Sequence, residues 1–153
     1  MCSHYAMPSL KEIKTYLTTD LKLPLIVPKN IEEKFSAGTQ IYPKSSSLVM
    51  LYSNNELKLV EKKWGYPSPF QKNRVLYNAR IERFYEEKPS MWDNSFARQR
   101  CIILANEFWE SSKQTYLASN NQTYHEHSSF TAKEEPMTLI AGIYQGDDFS
   151  MVT

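Results

Sequence analysis

Cys101–Phe108 is a nearly continuous apolar run in an otherwise mixed sequence. Its length and composition predict a strand covered on both faces, so the rest of the chain must supply packing on either side of it. It is far short of the roughly 20 apolar residues needed to span a bilayer, and no other run approaches that length. Further strand candidates surround it. Leu48–Tyr52 is rich in β-formers, Ser53-Asn54-Asn55 is a turn, and Glu56–Lys63 alternates with Leu57 and Leu59 on one face, which together predict a hairpin. Arg74–Arg80, Tyr116–Ala118, Tyr124–Phe130, Met137–Tyr144 and Phe149–Val152 are also strand-like, with a turn at Gln145–Asp148.

Helical signals lie between the strands. Ser9 and Glu12 form a capping-box pattern ahead of Leu10, Ile13, Leu17 and Leu21, and Pro24 and Pro28 end that helix. Ile31–Phe35 reads as one further helical turn. Ile81–Glu87 and Trp92–Arg98 read as short helices on either side of Lys88-Pro89-Ser90. Trp64-Gly65-Tyr66-Pro67-Ser68-Pro69 is an aromatic, proline-rich loop. These elements predict an α+β chain, mostly antiparallel sheet with peripheral helices, and 153 residues fit one domain.

Eighteen basic and seventeen acidic residues give a net charge of +1, so any basic surface must be local. Cys2 and Cys101 are far apart and have no metal-type spacing. No metal, no cofactor and no disulfide are expected, and a reducing cytosolic location is. Met1–Lys11 lacks the apolar core of a signal peptide.

Cys2 follows the initiator methionine. Removal of Met1 would expose a 1,2-aminothiol, with reference pKa values of about 7.7–8.0 for the amine and about 8.5 for the thiol. Both groups are then partly nucleophilic near neutral pH. The amine can form an imine with an aldehyde, and the thiol can close a thiazolidine on it. The alternative is that Cys2 is a small residue at a frayed terminus.

Three stretches stand together with that cysteine: Met1-Cys2 with His4, Asn78-Ala79-Arg80-Ile81-Glu82, and Arg98 through Glu110. With Trp64-Gly65 ahead of the second, their order and spacing resemble the SOS response-associated peptidase (SRAP) family, the abasic-site processing proteins. The resemblance implies a curved, barrel-like antiparallel sheet. It implies covalent capture of the ring-opened sugar of an abasic site in single-stranded DNA by Cys2, on a monomer that is nucleoid-associated when acting on DNA.

By the same resemblance, Asn78 would position the terminal residue or the open sugar, and Glu110 would shuttle protons during imine formation. Arg80 would bind a flanking phosphate, Trp64 would stack on bases, and His4, Arg98 and Arg100 would extend the DNA-binding rim. Each has a structural alternative: a helix cap for Asn78, a solvated strand end for Glu110, an ion pair with Glu82 for Arg80, packing beneath its loop for Trp64. Cys101 is expected to be a buried core thiol. His125 and His127 are expected to face solvent.

The chain departs from the pattern in places. Ser3 and His4 stand where the family has glycine and arginine, and Glu107 where it has glycine. The family's histidine in a His-x-Arg-Met-Pro-like segment lies beyond Thr153, so the chain is expected to lack that group, to expose sheet edges and to be less stable than a full-length relative. Two other functions stay open: a thiol autopeptidase with Cys2 as nucleophile, and a non-catalytic fragment that binds single-stranded DNA.

Overall fold

The computed structural model describes residues 1–29, 31 and 34–153. The chain opens on a strand, β1 (Cys2–Met7), followed by α1 (Leu10–Lys14), which widens into a π-helical turn over Thr15–Asp20. The short strands β2 (Leu25–Ile26) and β3 (Thr39–Ile41) precede a long hairpin of β4 (Ser46–Ser53) and β5 (Glu56–Trp64). β6 (Tyr66–Pro67), β7 (Val75–Leu76) and β8 (Asn78–Ala79) are two residues each. A 3-10 turn (Ile81–Tyr85) and α2 (Asp93–Arg98) lead to β9 (Arg100–Ala105), β10 (Glu107–Leu117), β11 (Thr123–Thr131), β12 (Thr138–Gln145) and β13 (Asp148–Val152).

Five strands close on themselves in the order β5, β4, β9, β12, β13. Four junctions are antiparallel. The fifth is parallel and pairs Asp148 and Phe149 with Lys63 and Trp64. A closed ring has no free edge. Leu48, Leu59, Trp64, Ile103, Leu104 and Phe149 on these strands are fully buried. A second sheet, in the order β11, β10, β1, β3, lies beside the barrel, and β8 extends the barrel along β13. The fold is α+β with a barrel-like sheet.

Local chemistry explains several elements. Ser9 accepts from the Glu12 N–H (3.1 Å) while Glu12 accepts from the Ser9 N–H (2.6 Å), closing the capping box. Leu10, Ile13 and Leu17 are buried, but Leu21 is exposed. The Leu21 N–H bonds five residues back to the Tyr16 carbonyl, and this wider turn rotates Leu21 off the buried face. Asn54 and Asn55 both take positive φ (52° and 63°), which gives the tight turn that joins β4 to β5. The helical turn expected over Ile31–Phe35 includes residues outside the described ones.

One expectation is corrected and one alternative set aside. Cys101–Phe108 is not one strand. The chain leaves the barrel at Asn106, whose N–H donates to the Ala6 carbonyl (2.9 Å), and resumes in the second sheet as β10. The apolar run is long because it serves two sheets in succession. The opening residues are not frayed either, since β1 is an interior strand between β10 and β3, with Tyr5 and Met7 fully buried. Among the described residues the outer strand β11 pairs only with β10, and every one of its residues is exposed.

Gly65 turns the chain from β5 into β6. Its φ is +120°, its N–H donates to the Phe149 carbonyl (2.8 Å), and a Cβ there would stand 2.7 Å from Val75 Cβ. Gly65→Ala is expected to cost ~1–3 kcal/mol through strain and overpacking, a fall in Tm of roughly 5 °C. A thermal melt indistinguishable from the parent's would show that this junction is not under such constraint.

Candidate functional site

Cys2 sits where alternation alone would not put it. In β1, Tyr5 and Met7 face the core and His4 faces the other way, so a regular strand would place Cys2 on the His4 side. A bulge between Cys2 and His4 resets the alternation, and Cys2 joins the buried cluster at 1% exposure. Its Sγ donates to the His4 carbonyl (3.4 Å). Burial, and then the Glu110 carboxylate, push the thiol up to about 12, against opposing pulls from backbone hydrogen bonds and the terminal ammonium. Behind Met1, the thiol is therefore held protonated.

β10 brings Glu110 opposite Cys2. The terminal ammonium on Met1 lies 2.5 Å from Glu110 Oε2. From the far side, the Asn78 Nδ2 donates to the Cys2 carbonyl (2.9 Å). Asn78 is placed by the parallel pairing of β8 with Met151 of β13. Its Oδ1 is buried without a hydrogen-bond partner among the described residues, as is the Thr153 Oγ1. Beside these groups opens a cavity of about 430 Å³, with Met1, Arg80, Glu82 and Glu110 among its polar lining and Phe108, Ile140 and Val152 among its apolar lining. The cavity thus offers a charged amine, a guanidinium and two carboxylates beside an apolar wall.

Cys2, Asn78, Glu110 and Arg80 are thus brought together. Among the described residues, Arg80 forms no ion pair with Glu82. Other expected site residues lie elsewhere. Trp64 cannot offer a ring to bases, because it is fully buried, stacks on Phe149 (6.3 Å) and donates its indole N–H to the Tyr77 carbonyl (2.8 Å). It closes the end of β5 inside the barrel. The exposed aromatic near that loop is Phe70, at 89%. Arg98 and Arg100 are exposed at the end of α2 and the start of β9, and neither lines the cavity.

His4 also stands apart from the cavity. Its ring is stacked between Trp109 (4.4 Å, 7°) and Tyr42 (5.0 Å, 12°). Burial and the neighbouring His127 lower its pKa, while Glu107 opposes them. Cys101 is a buried thiol pushed up to about 12 by burial, and His125 and His127 are exposed on β11. Sequence reasoning did not single out Glu82, Phe108 or Thr153 for the cavity. Glu82 stood inside a quoted motif. Thr153 is brought in by long-range pairing, its N–H to the Ala79 carbonyl (2.9 Å) and its carbonyl from the Ile81 N–H (2.8 Å), for which a sequence carries no local signal.

Among the described residues, no group of three or more His, Cys, Asp or Glu could hold a metal ion. No described helix is long and apolar enough to cross a membrane.

Comparison with known proteins agrees with the fold. The crystal structure of a phage-related protein from Bordetella bronchiseptica superposes with a TM-score of 0.60 at 19% identity, covering 99% of this chain and 68% of that one. At that identity the likeness concerns fold alone. No curated protein matches the sequence. The family model described as SOS response associated peptidase matches residues 1–150. The chain belongs to the SRAP family, a membership that fits, at the level of the family, the SOS response and abasic-site processing in DNA.

Proposed function

We propose that the chain captures abasic sites in single-stranded DNA covalently, through Cys2 made N-terminal by removal of Met1. The observation that carries this reading is the 2.5 Å contact between the leading amine and Glu110, beside a Cys2 residue whose carbonyl Asn78 holds. Losing Met1 moves the amine one residue, about 3.8 Å along the chain, onto Cys2 itself. Cys2 already lies across from Glu110 in the strand register.

The chemistry balances with these groups. Glu110 takes a proton from the Cys2 ammonium, and the free amine adds to the aldehyde carbon of the open sugar. The protonated Glu110 then gives its proton to the departing hydroxyl, so water leaves and an imine forms. The Cys2 sulfur adds to the imine carbon, its proton passes to the nitrogen, and the thiazolidine closes. The net change is aldehyde plus aminothiol to thiazolidine plus water. Arg80 is suited to a flanking phosphate, and Phe70, rather than Trp64, is the ring open to a base.

A denaturing gel after incubation with an abasic single-stranded oligonucleotide is expected to show a shifted band that disappears with Cys2→Ala. Glu110→Gln is expected to slow its appearance by about 10²-fold or more. No band would leave only non-covalent binding, and an equal band with Cys2→Ala would put the crosslink on a group other than the Cys2 thiol. Thiol alkylation at pH 8 gives a second check. Protein retaining Met1, verified by intact mass, is expected to react more than about tenfold slower when native than when denatured, because both thiols are buried and protonated. Rapid native labelling of Cys2 behind Met1 would contradict the buried, protonated state of the thiol.

A further inference from the structure

The free edge of the second sheet has no role in the Cys2 site. β11 is exposed along its whole length, and from Lys113 to Leu117 β10 is exposed as well. The two strands therefore run on as a ribbon, a structure that is marginal by itself in water. Tyr116, Leu117, Tyr124 and Phe130 are exposed along it. An exposed edge strand is commonly guarded by lysine or proline. The nine residues of β11 hold neither, and Glu126 is their one carboxylate.

The backbone phase of β11 follows from its neighbour. The Ser111 N–H donates away from β11, to the Met1 carbonyl (3.4 Å), so Ser111 and His127, which stand opposite each other, are a non-bonded pair. At the other end the Ala118 N–H donates to the Gln122 carbonyl (2.9 Å), which sets the same phase. Bonded and non-bonded positions alternate along an antiparallel pair. Thr123, His125, His127, Ser129 and Thr131 therefore turn their N–H and C=O groups to the open edge.

We infer that this edge pairs with β11 of a second copy of the chain, antiparallel and centred on His127. The strand is close to a palindrome about that residue. A two-fold axis there sets Thr123 opposite Thr131, Tyr124 opposite Phe130, His125 opposite Ser129 and Glu126 opposite Ser128. Threonine pairs and aromatic pairs are favoured across strands. Phe108 already stacks on Phe130 (5.3 Å), and Tyr116 on Tyr124 (6.0 Å). The pairing joins Phe108 and Phe130 of one copy to Tyr124 and Tyr116 of the other in a single row across four strands, and the axis repeats that row. The outward backbone groups supply about ten ladder bonds. Side-chain alternation allows only shifts of two residues. One such shift sets Glu126 against its own copy, the other sets it against Phe130, and both shorten the ladder. The inference is independent of the Cys2 chemistry and departs from the monomer that the family resemblance implies.

One strand a side is a small interface, at the weak end of specific association, so the test spans a wide range of concentration. Sedimentation of the full chain at pH 8, from about 1 μM to about 500 μM, is expected to show the mean mass climbing from one chain toward two. Ser129→Pro removes an N–H that faces the open edge and spares the β10 ladder. It is expected to weaken dimerisation by about tenfold or more with the thermal melt unchanged. Crosslinking checks the register. Bonded partners on the axis stand about 5.5 Å apart at Cα, within disulfide reach, so His127→Cys is expected to give a linked dimer under mild oxidation. Thr123→Cys, on the same face but roughly 26 Å from its copy, is expected not to. Cys2 and Cys101 are buried and add little background. A mass of one chain at every concentration overturns the inference and leaves the edge to a strand of a different protein. Dimerisation untouched by Ser129→Pro also overturns it, as does crosslinking of the Thr123 variant as fast as the His127 variant. Where Ser129→Pro lowers the melt, the crosslinking contrast decides.

Discussion

The burial of Tyr5 is the contact on which the rest depends. Its ring lies edge-on to Trp64 (5.3 Å) in the core, and its hydroxyl donates to Ser47 Oγ (2.7 Å) on β4. Ser47 in turn contacts Met7 Sδ (3.5 Å). Those contacts lock β1, a strand of the second sheet, onto the barrel. Burial carries the Tyr5 phenol well above its usual range, so the hydroxyl stays a donor. Leading residues that a chain normally leaves loose are thereby held at fixed distances from β10 and β8. Without that anchor, neither the Glu110 carboxylate nor the Asn78 amide would have a defined place to aim.

The signals legible in the sequence were the short-range ones. The Ser9–Glu12 cap, the Asn54-Asn55 turn and the Gly146 turn between β12 and β13 each depend on a few adjacent residues, and each formed where the pattern placed it. The strand order could not be read that way. Nothing in Arg100–Phe108 announces that Asn106 passes the chain from one sheet to another, because burial in either sheet asks for the same apolar residues. β1 was hidden for a related reason. Only Tyr5 and Met7 carry its inward pattern, and the bulge breaks the alternation before Cys2.

The candidate site was partly legible for a different reason. Cys2, Asn78, Arg80 and Glu110 could be named from motif order; Arg80 and Glu110 line one cavity, and Cys2 lies across from Glu110 with its carbonyl held by Asn78. Trp64 could not be placed from its motif, since an aromatic before a glycine packs under a loop or stands on it with equal ease. Here the Tyr77 carbonyl, which takes its indole proton, and the Phe149 ring decide for the inside. The remaining cavity walls come from β12 and β13 at the far end of the sequence. Their arrival is a property of barrel closure, not of any local stretch.

The irregularity in β1 falls between the leading end of the chain and the Tyr5 anchor. Two or three residues therefore absorb whatever happens at the tip. A shift of the leading pair is taken up as slack on the near side, while the pairing of Tyr5, Ala6 and Met7 with β3 and β10 need not slip. The fold separates a tip with room to move from a body held in register.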